Sequence, residues 1–207
     1  MFFKLLLLLT VFFPTETILI DKIAAVVNNE IITLSDLDKA IQFFPNLRKK
    51  DESDNEFYQR TLNDLINYKV IYLEYNQEFN LAEEDHEEVQ IPILKKAGSL
   101  NKLIAQLRRF DMKWEDFKKF IKEKVLYEKV LKEKLQLNII VHFKEIEQFY
   151  QIEYLPIQKK LNIPPKTLIE MSPVIEKHLK KIKTQLELFE WIKERRSFYQ
   201  IENKLGE

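Results

Sequence analysis

Two glycines in 207 residues leave this chain almost nowhere to make the tight, left-handed turns on which a many-stranded sheet depends. With 45% hydrophobic and 32% charged residues, the apolar groups must reach a core mainly along helical stripes, so the expected fold class is mostly α. A chain of this length builds one sizeable core or two small ones without covalent staples. It has no cysteine, and hence no disulfide, thiolate nucleophile or cysteine-held metal. Lys plus Arg equals Asp plus Glu at 33 each, so no overall field gathers nucleic acid or an anionic bilayer.

The first residues have the layout of an export signal. Lys4 precedes an unbroken apolar run over residues 5–13, and Pro14, Thr15, Glu16 and Thr17 follow. The run is about half the ~20 residues a membrane-spanning helix needs. Residues 1–17 are therefore expected to be a signal peptide and the product to be exported, with no stable membrane span once the leader is removed. No small-x-small cleavage site is visible, which leaves an uncleaved tether open.

Beyond the leader, residues 21–27 read as a strand, Asn28-Asn29 as a tight turn and residues 30–32 as a second strand, together a β-hairpin. Thr33 then suits a helix N-cap with Asp36 three positions on, and Pro45 ends that helix. Residues 46–55 form a polar loop. A broad apolar stripe predicts a packed helix over residues 56–79, with Asn80 as its C-terminal cap. Glu83-Glu84-Asp85 starts another, which Gly98 closes and Pro92 kinks or breaks. A short helix over 100–110 and a long one over 113–137 follow. In the long helix Trp114, Phe117, Ile121, Val125, Leu131 and Leu135 lie on one side, and Leu126 and Val130 on the other. It needs two partners: two parts of its own fold, or one part and a bound ligand. Residues 138–141 read as extended, residues 143–150 as a helical turn or two, and Pro156, Pro164 and Pro165 as an irregular joint. In a last helix over 173–196, Ile175, Leu179, Ile182, Leu186 and Phe189 alternate in steps of four and three, a coiled-coil-like seam. Residues 197–201 are expected to form a final strand.

No catalytic, cofactor-binding or metal-binding residue is assigned. His86, His142 and His178 lie far apart in sequence, and His86 reads as part of a solvated acidic helix start. Carboxylates alternate with lysines along helices, as surface ion pairs do. The two glycines stand alone, so no loop cradles a phosphate, and any binding cycle runs without ATP. The basic residues between 108 and 134 are diluted by Glu115, Asp116, Glu123, Glu128 and Glu133, which favours an amphipathic helix over a nucleic-acid surface.

The order of these segments resembles the SurA-type periplasmic chaperones. The likeness is carried by DKIAAVVNNEIITLSDLD (residues 21–38), LINYKVIYLEYNQEFNL (65–81), MKWEDFKKFIKEKVLYEKVL (112–131), NIIVHFKEIEQFY (138–150) and MSPVIEKHLKKIKTQLELFEWIKE (171–194). Such proteins commonly carry parvulin prolyl-isomerase domains before the closing helix. Here about twenty residues fill that place, against the ~50 at which small domains begin. The resemblance thus implies a chaperone core without the isomerase, with residues 18–155 as the N-terminal helical region. Residues 156–207 would complete the same module, the long C-terminal helix packing back on the N-terminal part. It further implies an ATP-independent holdase for unfolded polypeptides, outer-membrane proteins above all. His142 departs from the family's usual Ser/Thr helix start. Phe43, Phe44, Phe57 and Tyr58 are the expected client contacts, with core filling as the alternative for all four. Two rival functions stay open: an envelope assembly or tethering protein with one fixed partner, and a divergent prolyl isomerase.

Overall fold

The computed structural model describes residues 21–46, 48–134 and 139–206. The expected leader lies outside these residues, as do Leu135, the end of the long helix and the first residue of the 138–141 run. The fold is mostly α with one small antiparallel sheet. Strands β1 (Ile23–Val27) and β2 (Glu30–Thr33) form the expected hairpin, turning at Asn28 with φ 52°. A third strand, β3 (Ile201–Asn203), pairs with the other edge of β1, giving the order β2-β1-β3. Asn28 serves twice: its backbone N–H donates to the Gln200 carbonyl, and its side-chain oxygen accepts from the Gln200 N–H, both at 2.8 Å. The two ends of the described chain are thereby joined. Ala24, Ala25 and Val27 are fully buried, so β1 is covered on both faces.

Helix α1 (Leu34–Phe43) starts where Thr33 predicts, in a reciprocal capping box with Asp36. Its far end is capped by Lys96, whose Nζ donates to the carbonyls of Ile41 and Phe44 at 2.7 Å each. Ser53 and Glu56 form a second capping box and start α2 (Asp54–Tyr75). That helix stops short of Asn80, because the Asn76 side chain turns back to the Tyr72 carbonyl. Helix α3 (Glu83–Ala97) runs through Pro92 and ends at Gly98, whose φ of 86° needs a residue without a Cβ. Then come α4 (Leu100–Arg109) and α5 (Trp114–Lys134). Phe117, Ile121 and Val125 of α5 enter the main core of sheet and helices, while Leu126 and Val130 join Ile71 of α2 and Ile192 in a second cluster. The two apolar sides of α5 thus face two parts of its own fold.

The region around Pro156 differs from expectation. Helix α6 (Phe143–Phe149) continues through a π turn over Tyr150–Tyr154 into α7 (Leu155–Leu161). Pro156 would clash with the carbonyl four residues back in a regular helix. The turn widens instead, with the Leu155 N–H reaching the Tyr150 carbonyl, and the proline is carried rather than obeyed as a stop. Residues 155 and 156 therefore fall inside a helical run. Helix α8 (Leu168–Arg196) begins five residues before Pro173, because Thr167 and Glu170 form another capping box. Its 29 residues span about 43 Å. Residues 197–199 hold the last turn of α8 through hydrogen bonds to carbonyls of residues 193–196, which delays the final strand to Ile201.

Candidate functional site

The structure buries Phe43, Phe44 and Phe57, in line with the core-filling alternative, and leaves Tyr58 half-buried. Phe43 and Phe44 are each 1% exposed. The Phe43 ring lies 5.5 Å from Phe110 and edge-on at 5.6 Å to Phe117. Phe44 is turned inward by its extended backbone after α1, stacks on Phe120 at 5.4 Å and meets Tyr68 edge-on. Phe57 is roofed by the guanidinium groups of Arg48 and Arg60 at 5.2 and 5.3 Å, and Tyr58 is half-buried against the same core. No client side chain reaches Phe43 without opening this packing. A crowd of aromatics before a proline reads alike in sequence whether the chain turns them in or out.

Two other surfaces emerge. The first is a cleft of about 370 Å³ between β2, α1, α2 and α5. Phe44, Leu65, Tyr68 and Phe120 contribute apolar surface to its lining. Lysine ammonium groups cover those rings: Lys124 stands 5.1 Å from the Tyr68 centroid and Lys39 stands 6.0 Å from that of Phe120. Lys69 pairs with Glu123 and reaches Glu30 at 3.8 Å, tying the hairpin to α2 and α5. Burial pushes the Glu123 carboxyl above its ordinary value, against the pull of the Lys69 charge. Burial likewise raises the phenols of Tyr68 and Tyr127. The cleft is an apolar seat with a charged rim, and Glu123, the carboxylate that burial raises there, is already engaged by a lysine.

The second surface is the middle of α8. At 100° per residue, Ile182, Leu186 and Phe189 share one stripe, about 140° round the helix from Leu188, Trp191, Ile192 and Arg195. The latter set packs on the body: Trp191 stacks with Tyr75 at 6.3 Å and Arg195 pairs with Glu74 at 2.9 Å. Toward the N-terminus the stripe continues through Leu179 to Ile175, where Ile146 and Tyr150 of the α6 run cover it. Between these two supports the stripe is open, with Leu186 59% and Phe189 61% exposed. Lys183 donates to the Ile140 carbonyl at 3.0 Å and pairs with Glu145 at 2.7 Å, holding the entry of α6 beside the stripe. Ile140 and Phe143, both exposed, extend the apolar surface there. The seam read from the sequence is thus half filled by the chain itself. Its spacing was legible in the sequence; where α6 stops covering it was not.

Among the described residues no group of three or more His, Cys, Asp or Glu side chains could hold a metal ion, and no helix is long and apolar enough to cross a membrane. His142 stands at the N-cap of α6, where its backbone N–H donates to Glu145, and His178 contacts Phe149 at 5.2 Å. No family model matches the chain, and no curated protein matches it either. The functional reading rests on these surfaces.

Proposed function

We propose that this protein is an ATP-independent holdase of the periplasm that binds unfolded outer-membrane or other envelope proteins, a SurA-like core without a prolyl-isomerase domain. The observation that carries the reading is the open stripe of α8. Three large apolar side chains stand in solvent between two supports, with Ile140 and Phe143 beside them. Leaving such groups exposed costs free energy that a partner's apolar surface recovers. An unfolded client offers that surface in many registers, and a shallow stripe grips it weakly enough for release by mass action. Abundant surface charge keeps the other helix faces solvated.

The test is light scattering of a denatured outer-membrane protein diluted into buffer with the purified protein. Stoichiometric amounts should suppress aggregation. Leu186→Ser with Phe189→Ser should weaken the client interaction about 30-fold, taking about 1 kcal/mol for each partly buried side chain. Aggregation proceeding unchanged in the presence of the wild-type protein would overturn the proposal. A single saturable partner, with indifference to unrelated clients, would instead support a dedicated assembly or tethering role.

A further inference from the structure

The chain as a whole is electrically balanced, but stretches of it are not. From residue 154 to residue 169 there are three lysines, Lys159, Lys160 and Lys166, and no acidic residue. These residues form the tip of the α6–α7/α8 hairpin: the end of the π turn, α7, the connection over residues 162–167 and the start of α8. All three lysines are exposed, and among the described residues Lys159 and Lys160 have no ion-pair partner. Hydrogen bonds from the Thr167 hydroxyl and N–H hold the Glu170 carboxyl below its ordinary value, and the Lys166 charge adds to them.

The same tip carries aliphatic side chains in solvent. Ile157, Leu161 and Ile163 are half-exposed or more, and Ile169 is 83% exposed. Ile157 and Leu161 are four apart on α7 and so share a face. The connection between the helices is braced. Asn162 closes α7 in the left-handed region at φ 55°, and the Ile163 N–H donates to the Gln158 carbonyl at 3.0 Å. The Tyr150 hydroxyl donates to the Lys166 carbonyl at 2.7 Å, while the Lys166 N–H donates to the Tyr154 hydroxyl at 3.0 Å. The two tyrosine rings stack at 5.2 Å behind the loop. Pro164 and Pro165 stiffen what lies between. Aliphatic groups and unpaired lysines are thus presented together, on a fixed scaffold, at the end of a helical lobe with its own small core.

We propose that this tip docks on the surface of an anionic lipid bilayer, its lysines at the headgroups and its aliphatic side chains in the headgroup–acyl boundary. The combination fits that partner on two counts: cations attract the surface charge, and short aliphatic groups enter an interface that accepts them from any direction. An acidic polypeptide would satisfy the lysines but leave four scattered aliphatic groups without a shaped pocket. The neutral balance of the whole chain is no obstacle, since the attraction acts within a Debye length and is set by the residues nearest the membrane. This docking is independent of the holdase reading, which uses the middle of α8.

The chain contains no cysteine, so Ile163→Cys gives a single labelling site in the full-length protein. A polarity-sensitive fluorophore there should shift to the blue with mixed phosphatidylglycerol–phosphatidylcholine vesicles and not with phosphatidylcholine alone, and high salt should reverse the shift. Lys159→Gln with Lys160→Gln should raise the lipid concentration at half-saturation about 25-fold, taking about fivefold per lysine. The same label at Gln185→Cys, on exposed α8 away from the tip, should not respond, which ties the shift to the tip. No shift at position 163, an equal shift with neutral vesicles, or insensitivity to the lysine pair would each overturn the proposal. So would a response to poly-glutamate without one to vesicles, which would assign the tip to an acidic polypeptide.

Discussion

Replacing Phe43 by alanine separates a core role from a binding role. Phe43 is 1% exposed, and three aromatic rings, Phe110, Phe117 and Phe120, lie with centroids 5.5–6.4 Å from its own. Truncating a buried phenylalanine costs about 3–5 kcal/mol, the lost transfer free energy plus the cavity left behind. The upper half of that range applies, because each ring contact adds about 0.5–1.5 kcal/mol beyond area alone. At a urea dependence of ~2 kcal/mol per molar, a loss of about 4 kcal/mol moves the unfolding midpoint down by about 2 M. Equilibrium urea unfolding followed by the fluorescence of Trp114 and Trp191 measures this. Phe43→Leu, which keeps most of the volume, should recover more than half of the loss. A Phe43→Ala midpoint within about 0.5 M of wild type, which corresponds to ~1 kcal/mol, would refute the packing argument. Weakened client binding at unchanged stability would return Phe43 to the binding surface.

Two further perturbations test how the fold is held. The Arg60 guanidinium grips Glu52 through two hydrogen bonds at 2.7 and 2.9 Å, the Lys49 N–H adds a third at 3.0 Å, and together they lower the Glu52 carboxyl to about 2 from its ordinary 4.5. Its contribution is therefore complete above pH 4.5 and lost as pH falls toward 2; the stability gap between wild type and Glu52→Gln should close over that window, and a gap independent of pH would contradict the assignment. Ending the chain at Tyr199 removes β3 and leaves the Asn28 N–H, the Ala24 carbonyl and one edge of β1 without partners. At ~1 kcal/mol per hydrogen bond the loss should be several kcal/mol with a lower thermal midpoint, and an unchanged midpoint would show that the strand is dispensable.

What the sequence determined by itself was local. The Thr33 and Gly98 signals act within one helical turn, and the Asn28-Asn29 turn within four residues, so each was legible where it stood. The 4-3 stripe of α8 was equally plain, because periodicity needs no partner to be seen. Tertiary structure decided which stripes are filled. Phe43 and Phe44 went inside because α5 places Phe117 and Phe120 against them. Leu186 and Phe189 stayed outside because α6 covers the seam only as far as its own first turn. Pro156 was overridden because a widened turn relieves its clash while Tyr150 and Ile146 keep their packing on Ile175. Burial is a property of pairs of segments distant in sequence, and a pattern on one helix carries no record of where its neighbour ends.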